Sequence, residues 1–156
     1  MDNYEERDRV LRACFEGRNW DNSGEYSLKR KLVLSGDPLL AEYPFLYDDE
    51  WEVQPGQSNL GKGDLVFTDG EGRFAVIEVK YLNPYTGKTA RVKRNKQRNQ
   101  VVEQAKRYAE EFQRLHPEAT SVVAMTYTDE GGLKVVEDSP EEDFRDDEDF
   151  WKAPKF

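Results

Sequence analysis

Apolar and polar positions divide the chain into segments of two periods. Arg73 to Leu82, RFAVIEVKYL, alternates so that Phe74, Val76, Glu78 and Lys80 share one face and Ala75, Ile77 and Val79 the other. Asp64 to Thr68 is a second strand, and the intervening TDGEG carries the aspartate and glycines of a hairpin loop. Ser121 to Tyr127, SVVAMTY, predicts a buried strand, and GGLKVVE an edge strand after it. The helical period governs two stretches. Asn3 to Phe15 repeats Val10, Leu11, Cys14 and Phe15 and stops at Gly17. Gln97 to Leu115 carries Val101, Ala105, Tyr108, Phe112 and Leu115 as a buried stripe and is closed by His116-Pro117.

Weaker signals fill the gaps. Gly17 to Gly24 reads as loop, Lys29 to Ser35 as a short strand, and Asp37-Pro38 as the start of a short helix ended by Pro44. Trp51 to Gln54 predicts a short strand before a PGQSN turn, and Asn83 to Asn95 a polar loop. The order predicts an α/β domain with a central mixed sheet flanked by helices, the helix from Gln97 crossing between two parallel strands.

Composition sharpens this reading at few points. The 156 residues predict one domain over residues 1–136, with residues 137–156 as an acidic, flexible tail. Cys14 is the only cysteine, so no intrachain disulfide forms; its place on the apolar stripe predicts a buried small hydrophobe and a reducing, intracellular setting. The N-terminus does not read as a signal peptide, and no apolar run is long enough for a membrane span. The net charge of −9 is unevenly spread. Glu137 to Asp149 holds nine acids and one arginine, whereas Lys88 to Arg98 holds Lys88, Arg91, Lys93, Arg94, Lys96 and Arg98 with no acid. That basic island suits phosphate contacts, and the acidic tail suits a self-contact that competes for it. Phe144 and Trp151, seven apart in the tail, would share a face if it became helical. No aromatic interrupts the island, although Tyr81 and Tyr85 stand where bases could stack.

Several chemistries are excluded. Gly56 to Lys62 has the spacing of a phosphate-binding loop, but Gly63 replaces the magnesium-holding hydroxyl and a strand follows instead of a helix. His116 is the only histidine and occupies a helix-end capping position, so metal sites built from Cys and His have no ligands. A metal here takes oxygen ligands, which points to Mg²⁺ or Mn²⁺.

Those oxygens are on the hairpin. With the turn centred near Gly70–Glu71, Asp64 falls opposite Glu78, and Lys80 projects from the same face as Glu78. Adjacent carboxylates repel unless one is protonated or a cation lies between them. A cross-strand salt bridge on a solvated hairpin explains the same residues equally well on convergence alone.

The sequence Gly63-Asp64 followed across a hairpin by Glu78-Val79-Lys80 resembles the PD-(D/E)XK nuclease superfamily, with Gly63 in place of the usual proline. Gln104 and Tyr108, four apart on one helix face, resemble the Q-x-x-x-Y element of its exonuclease-like branch. The resemblance implies a restriction-endonuclease-like core and a metal-dependent nuclease acting on DNA in preference to RNA. It implies Asp64, Glu78 and the Val79 carbonyl as ligands of Mg²⁺ or Mn²⁺, Lys80 on the attacking water and the developing charge, and Gln104 shaping the site. It also implies a glutamate from the first helix, for which Glu6, Glu16 and Glu42 are candidates. The rival reading is a nuclease-fold module that binds nucleic acid or a protein without cleaving.

Overall fold

The computed structural model describes residues 3–57, 61–82 and 87–136. The acidic tail, its contact with the island, and Tyr85 lie outside the described residues. Helices α1 (Tyr4–Gly17) and α2 (Gly24–Ser35) and a 3₁₀ turn (Pro38–Leu40) precede strands β1 (Phe45–Glu52), β2 (Lys62–Thr68) and β3 (Arg73–Lys80). Helix α3 (Lys88–Leu115) then crosses to β4 (Ser121–Thr128), and β5 (Gly132–Val135) follows. The strands form one sheet in the order β1-β2-β3-β4-β5, antiparallel throughout except for the parallel β3–β4 pair.

The alternation of β3 sorts its residues between two cores. Ala75, Ile77 and Val79 face α1 and α2, with Phe15, Leu32, Val33, Leu65 and Phe67. Phe74 and Val76 face α3, with Val66, Ala105, Tyr108 and Phe112. A sheet buried on both faces explains the near-continuous apolar run of β3. No helix among the described residues is long and apolar enough to cross a membrane.

Four local expectations fail. Lys29 to Ser35 is helical, because α2 buries Tyr26, Lys29, Leu32 and Val33 at helical spacing. Its stripe was hidden by Lys29, a charged residue only 5% exposed, whose ammonium lies 2.7 Å from Asp49. β1 starts at Phe45 rather than Trp51; a register shift between Leu46 and Asp48 and a left-handed Glu50 (φ 54°) disrupt its alternation. Cys14 is exposed, and so is Val10; α1 instead turns Phe15, with Leu11, toward the core.

The basic island is helical rather than a loop. α3 has 28 residues and runs about 42 Å, whereas the eight residues of β3 cover about 26 Å. Its first turns therefore extend beyond the strand beside which it packs, and this overhang lacks the apolar stripe that signals a helix. Lysine and arginine are good helix formers, so the helix continues without it.

Gly63 is paired with Trp51 across the β1–β2 ladder. A Cβ there would stand 2.2 Å from the indole nitrogen. The indole is itself packed edge-on against Tyr108 and Phe112 and has no room to retreat. The glycine before Asp64 is thus a packing requirement. Gly63→Ala is expected to lower stability by about 1–3 kcal/mol through overpacking, read as a reduced urea midpoint; an unchanged midpoint would refute this account.

Candidate active site

The β2–β3 ladder runs from Thr68 opposite Phe74 to Leu65 opposite Ile77, so the next positions in register are Asp64 and Glu78. Here the two carboxyls take over from the ladder. The Asp64 N–H donates to Glu78 Oε2 at 3.0 Å, and the Val79 N–H donates to Asp64 Oδ2 at 2.8 Å. Gln104, inward on α3, donates through Nε2 to Glu78 Oε1 at 3.0 Å. Glu78 is thereby fixed from the strand and from the helix, at 1% exposure.

The environment keeps this pair from ionising twice. Burial, and then the adjacent Asp64 charge, push the Glu78 carboxyl up to about 8. Burial also raises Asp64, opposed first by the Val79 N–H and then by the Lys29 ammonium. Raised to about 8, Glu78 is the member of the pair that keeps its proton near neutral pH. This donor set fits a hard divalent cation, because a cation between two carboxylates removes the repulsion that the retained proton otherwise relieves.

A pocket of about 210 Å³ opens over the pair, lined also by Lys62, Lys80, Gln97 and Gln100. It lies at the carboxyl end of β3, where the parallel β3–β4 pair and its crossover helix leave a crevice. Lys80 and Glu78 both line it, as alternation along β3 requires. The Lys80 ammonium is 3.4 Å from Glu25 of α2.

Glu25 is the carboxylate that sequence reasoning missed. It lines the pocket, whereas the three named glutamates point elsewhere. Glu6 bonds Arg9 and donates its backbone N–H to the capping Asn3 Oδ1, Glu16 is exposed on α1, and Glu42 bonds Arg73 at the opposite end of β3. Glu25 falls between the loop expected over Gly17 to Gly24 and the strand expected from Lys29, so no helix face was available to assign it. Among the described residues, no group of three or more His, Cys, Asp or Glu is gathered closely enough to hold a metal ion.

Tyr108 does not line the pocket. One turn beyond Gln104, it is buried with its ring 6.0 Å from that of Trp51. Its hydroxyl lies 2.6 Å from where a Cβ of Gly61 would stand, bracing the approach to β2. His116 caps α3 with its ring stacked on Phe112 at 4.0 Å, in keeping with a structural histidine.

The island divides by helix face. Arg94 and Arg98 turn toward the β4–β5 connection, where Glu130 accepts Arg98 at 2.5 Å and lies 3.6 Å from Arg94. Arg91, Lys93 and Lys96 are exposed. Lys93 precedes Gln97, Gln100 and Gln104 on the face that meets the pocket. Lys88 is the first residue of α3. Compared with family models, curated proteins and solved structures, the chain matches none.

Proposed function

We propose that this protein is a metal-dependent nuclease with a PD-(D/E)XK-type site and a restriction-endonuclease-like core, hydrolysing phosphodiester bonds in DNA in preference to RNA. The observation that carries the reading is the buried Asp64–Glu78 pair, fixed by Gln104 and sharing a pocket with Lys80. Asp64 and Glu78, with the Val79 carbonyl, would hold Mg²⁺ or Mn²⁺. When bound, such an ion supplies charge neutralisation on the phosphate and lowers the pKa of a water.

The chain's own residues do the rest. Lys80 places a positive charge beside the carboxylates, where it orients the attacking water and opposes the charge that builds on the phosphate oxygens. Gln104 prevents Glu78 from rotating out of the pocket. Lys62 contributes a second ammonium at the rim for the flanking phosphates. The overhanging turns of α3 carry the island past the same end of the sheet.

A second reading, a nuclease-like module that binds without cutting, is favoured by one observation: the Lys80 ammonium is engaged by Glu25. Incubation with single-stranded, duplex and branched DNA and with RNA, in Mg²⁺ or Mn²⁺, separates the two. Cleavage that disappears in Asp64→Ala, together with loss of the calorimetric Mn²⁺ titration, is the expected result. Binding without cleavage under every condition selects the module.

A further inference from the structure

We infer that the nucleic acid enters this site as a single strand, with a base stacked on Tyr81 and its phosphates led along the outer flank of α3. The inference rests on the nuclease reading and names its substrate form. Tyr81 follows Lys80 and is 41% exposed, although the next residue, Leu82, is 1% exposed and is pinned through its N–H to Asp129 at 2.8 Å. A Cβ on Gly24 would stand 2.5 Å from Tyr81 Cγ, 2.7 Å from Cδ2 and 2.9 Å from Cδ1. Three such similar distances place the ring face over the glycine backbone. One face of the ring is thus seated on the glycine that precedes Glu25, and Tyr81 itself follows Lys80, the partner of Glu25 in a 3.4 Å ion pair. A rigid aromatic with a supported face next to a phosphate site is a base-stacking platform.

The other side of the pocket supplies the path for the backbone. A depression of about 500 Å³ on α3 shares Gln100 and Gln104 with the carboxylate pocket, and adds Lys96, Asn99 and Arg107. Arg107 lies outside the basic island. The one acid in that depression, Glu103, lies 3.7 Å from Lys106. Meanwhile Glu130 draws Arg94 and Arg98 to a different face, so the island is not presented as one comb of charges to a duplex. The depth of the carboxyls adds a further reason. Glu78 is 1% exposed, so a scissile phosphate must descend to it. A single strand bends into such a recess at little cost, whereas a duplex presents its phosphates on a stiff helix that must be deformed to follow.

The test is equilibrium binding to the full chain by fluorescence anisotropy, with EDTA present so that no strand is cut. A short oligodeoxythymidylate carrying one fluorescent adenine analogue, quenched on stacking, is compared with the matched duplex. The single strand is expected to bind at least about tenfold more tightly than the duplex, with quenching. Tyr81→Leu should weaken single-strand binding about tenfold and abolish quenching, while Tyr81→Trp preserves both. Lys96→Ala with Arg107→Ala should flatten the single-strand salt slope by about 1.4.

Preference for the duplex, or unchanged binding and quenching in a folded Tyr81→Leu protein, overturns the inference. If Tyr81→Leu does not fold, absence of quenching by the unsubstituted protein overturns it equally. Cleavage in Mg²⁺ is scored separately. Duplex cutting that is insensitive to Tyr81 would defeat the single-strand inference and leave the nuclease reading standing. Tyr81-dependent binding with no cutting would defeat the nuclease reading and leave the stacking platform standing.

Discussion

Lys80→Ala is expected to reduce kcat by about 100- to 1000-fold, the usual effect of removing one group that meets transition-state charge. Substrate affinity should stay within about twofold, because the ammonium acts on the water and on charge that develops only during the reaction. The site geometry makes this separation measurable. Glu78 is held by Gln104 and by the Asp64 N–H, not by Lys80, so the carboxyl pair should survive the substitution. Single-turnover cleavage in Mg²⁺ and anisotropy binding with EDTA give the two quantities independently. A variant that cuts as fast as the unsubstituted protein would remove Lys80 from the chemistry. Equal losses in rate and binding would instead make it a phosphate anchor.

The second large effect is on stability. Glu78 is raised from its ordinary 4.5 to about 8, so between these pH values the folded protein holds a proton that the unfolded chain releases. Stability from this group is fully present below pH 4.5 and is lost as pH rises toward 8. At 1.36 kcal/mol per pH unit the loss is on the order of 3–5 kcal/mol. Urea unfolding with EDTA across that window should show the decline, and Glu78→Gln should remove it. The variant begins lower at acid pH, because glutamine offers one acceptor where Glu78 serves both the Asp64 N–H and Gln104. Bound Mn²⁺ should restore the unsubstituted protein at the alkaline end by favouring the ionised pair in the fold. Parallel pH profiles for the two proteins would show that Glu78 is ionised without cost and that the burial argument is mistaken.

Both predictions begin in features that were legible in the sequence. The alternation of β3 placed Glu78 and Lys80 together, and the hairpin arithmetic placed Asp64 opposite Glu78, one step beyond the Leu65–Ile77 pair, where the Asp64 N–H meets the Glu78 carboxyl. The helix face that carries Gln104 followed from the same periodicity. These inferences worked because two-residue and 3.6-residue periods fix side-chain direction locally, and one tight loop fixes the register between neighbouring strands.

Other features depended on contacts distant in sequence. Lys29 disguised α2 because a lysine breaks an apolar stripe unless an acid such as Asp49, on another element, accepts it. The acidic run Asp48-Asp49-Glu50 disguised β1, whose pairing with β2 outweighs its poor strand composition. Glu25 could not be selected over Glu6, Glu16 and Glu42, since the angle at which α2 approaches β3 is not written in either segment. The use of Gly24 as a seat for Tyr81 was equally silent. The sequence by itself determined the hairpin, the paired carboxyls and the crossover helix, because each is a matter of local period and short loop closure. Only the tertiary structure decided which glutamate meets Lys80, which arginines Glu130 removes from the island, and which aromatic rests on Gly24, because those are set by how separate elements pack across the sheet.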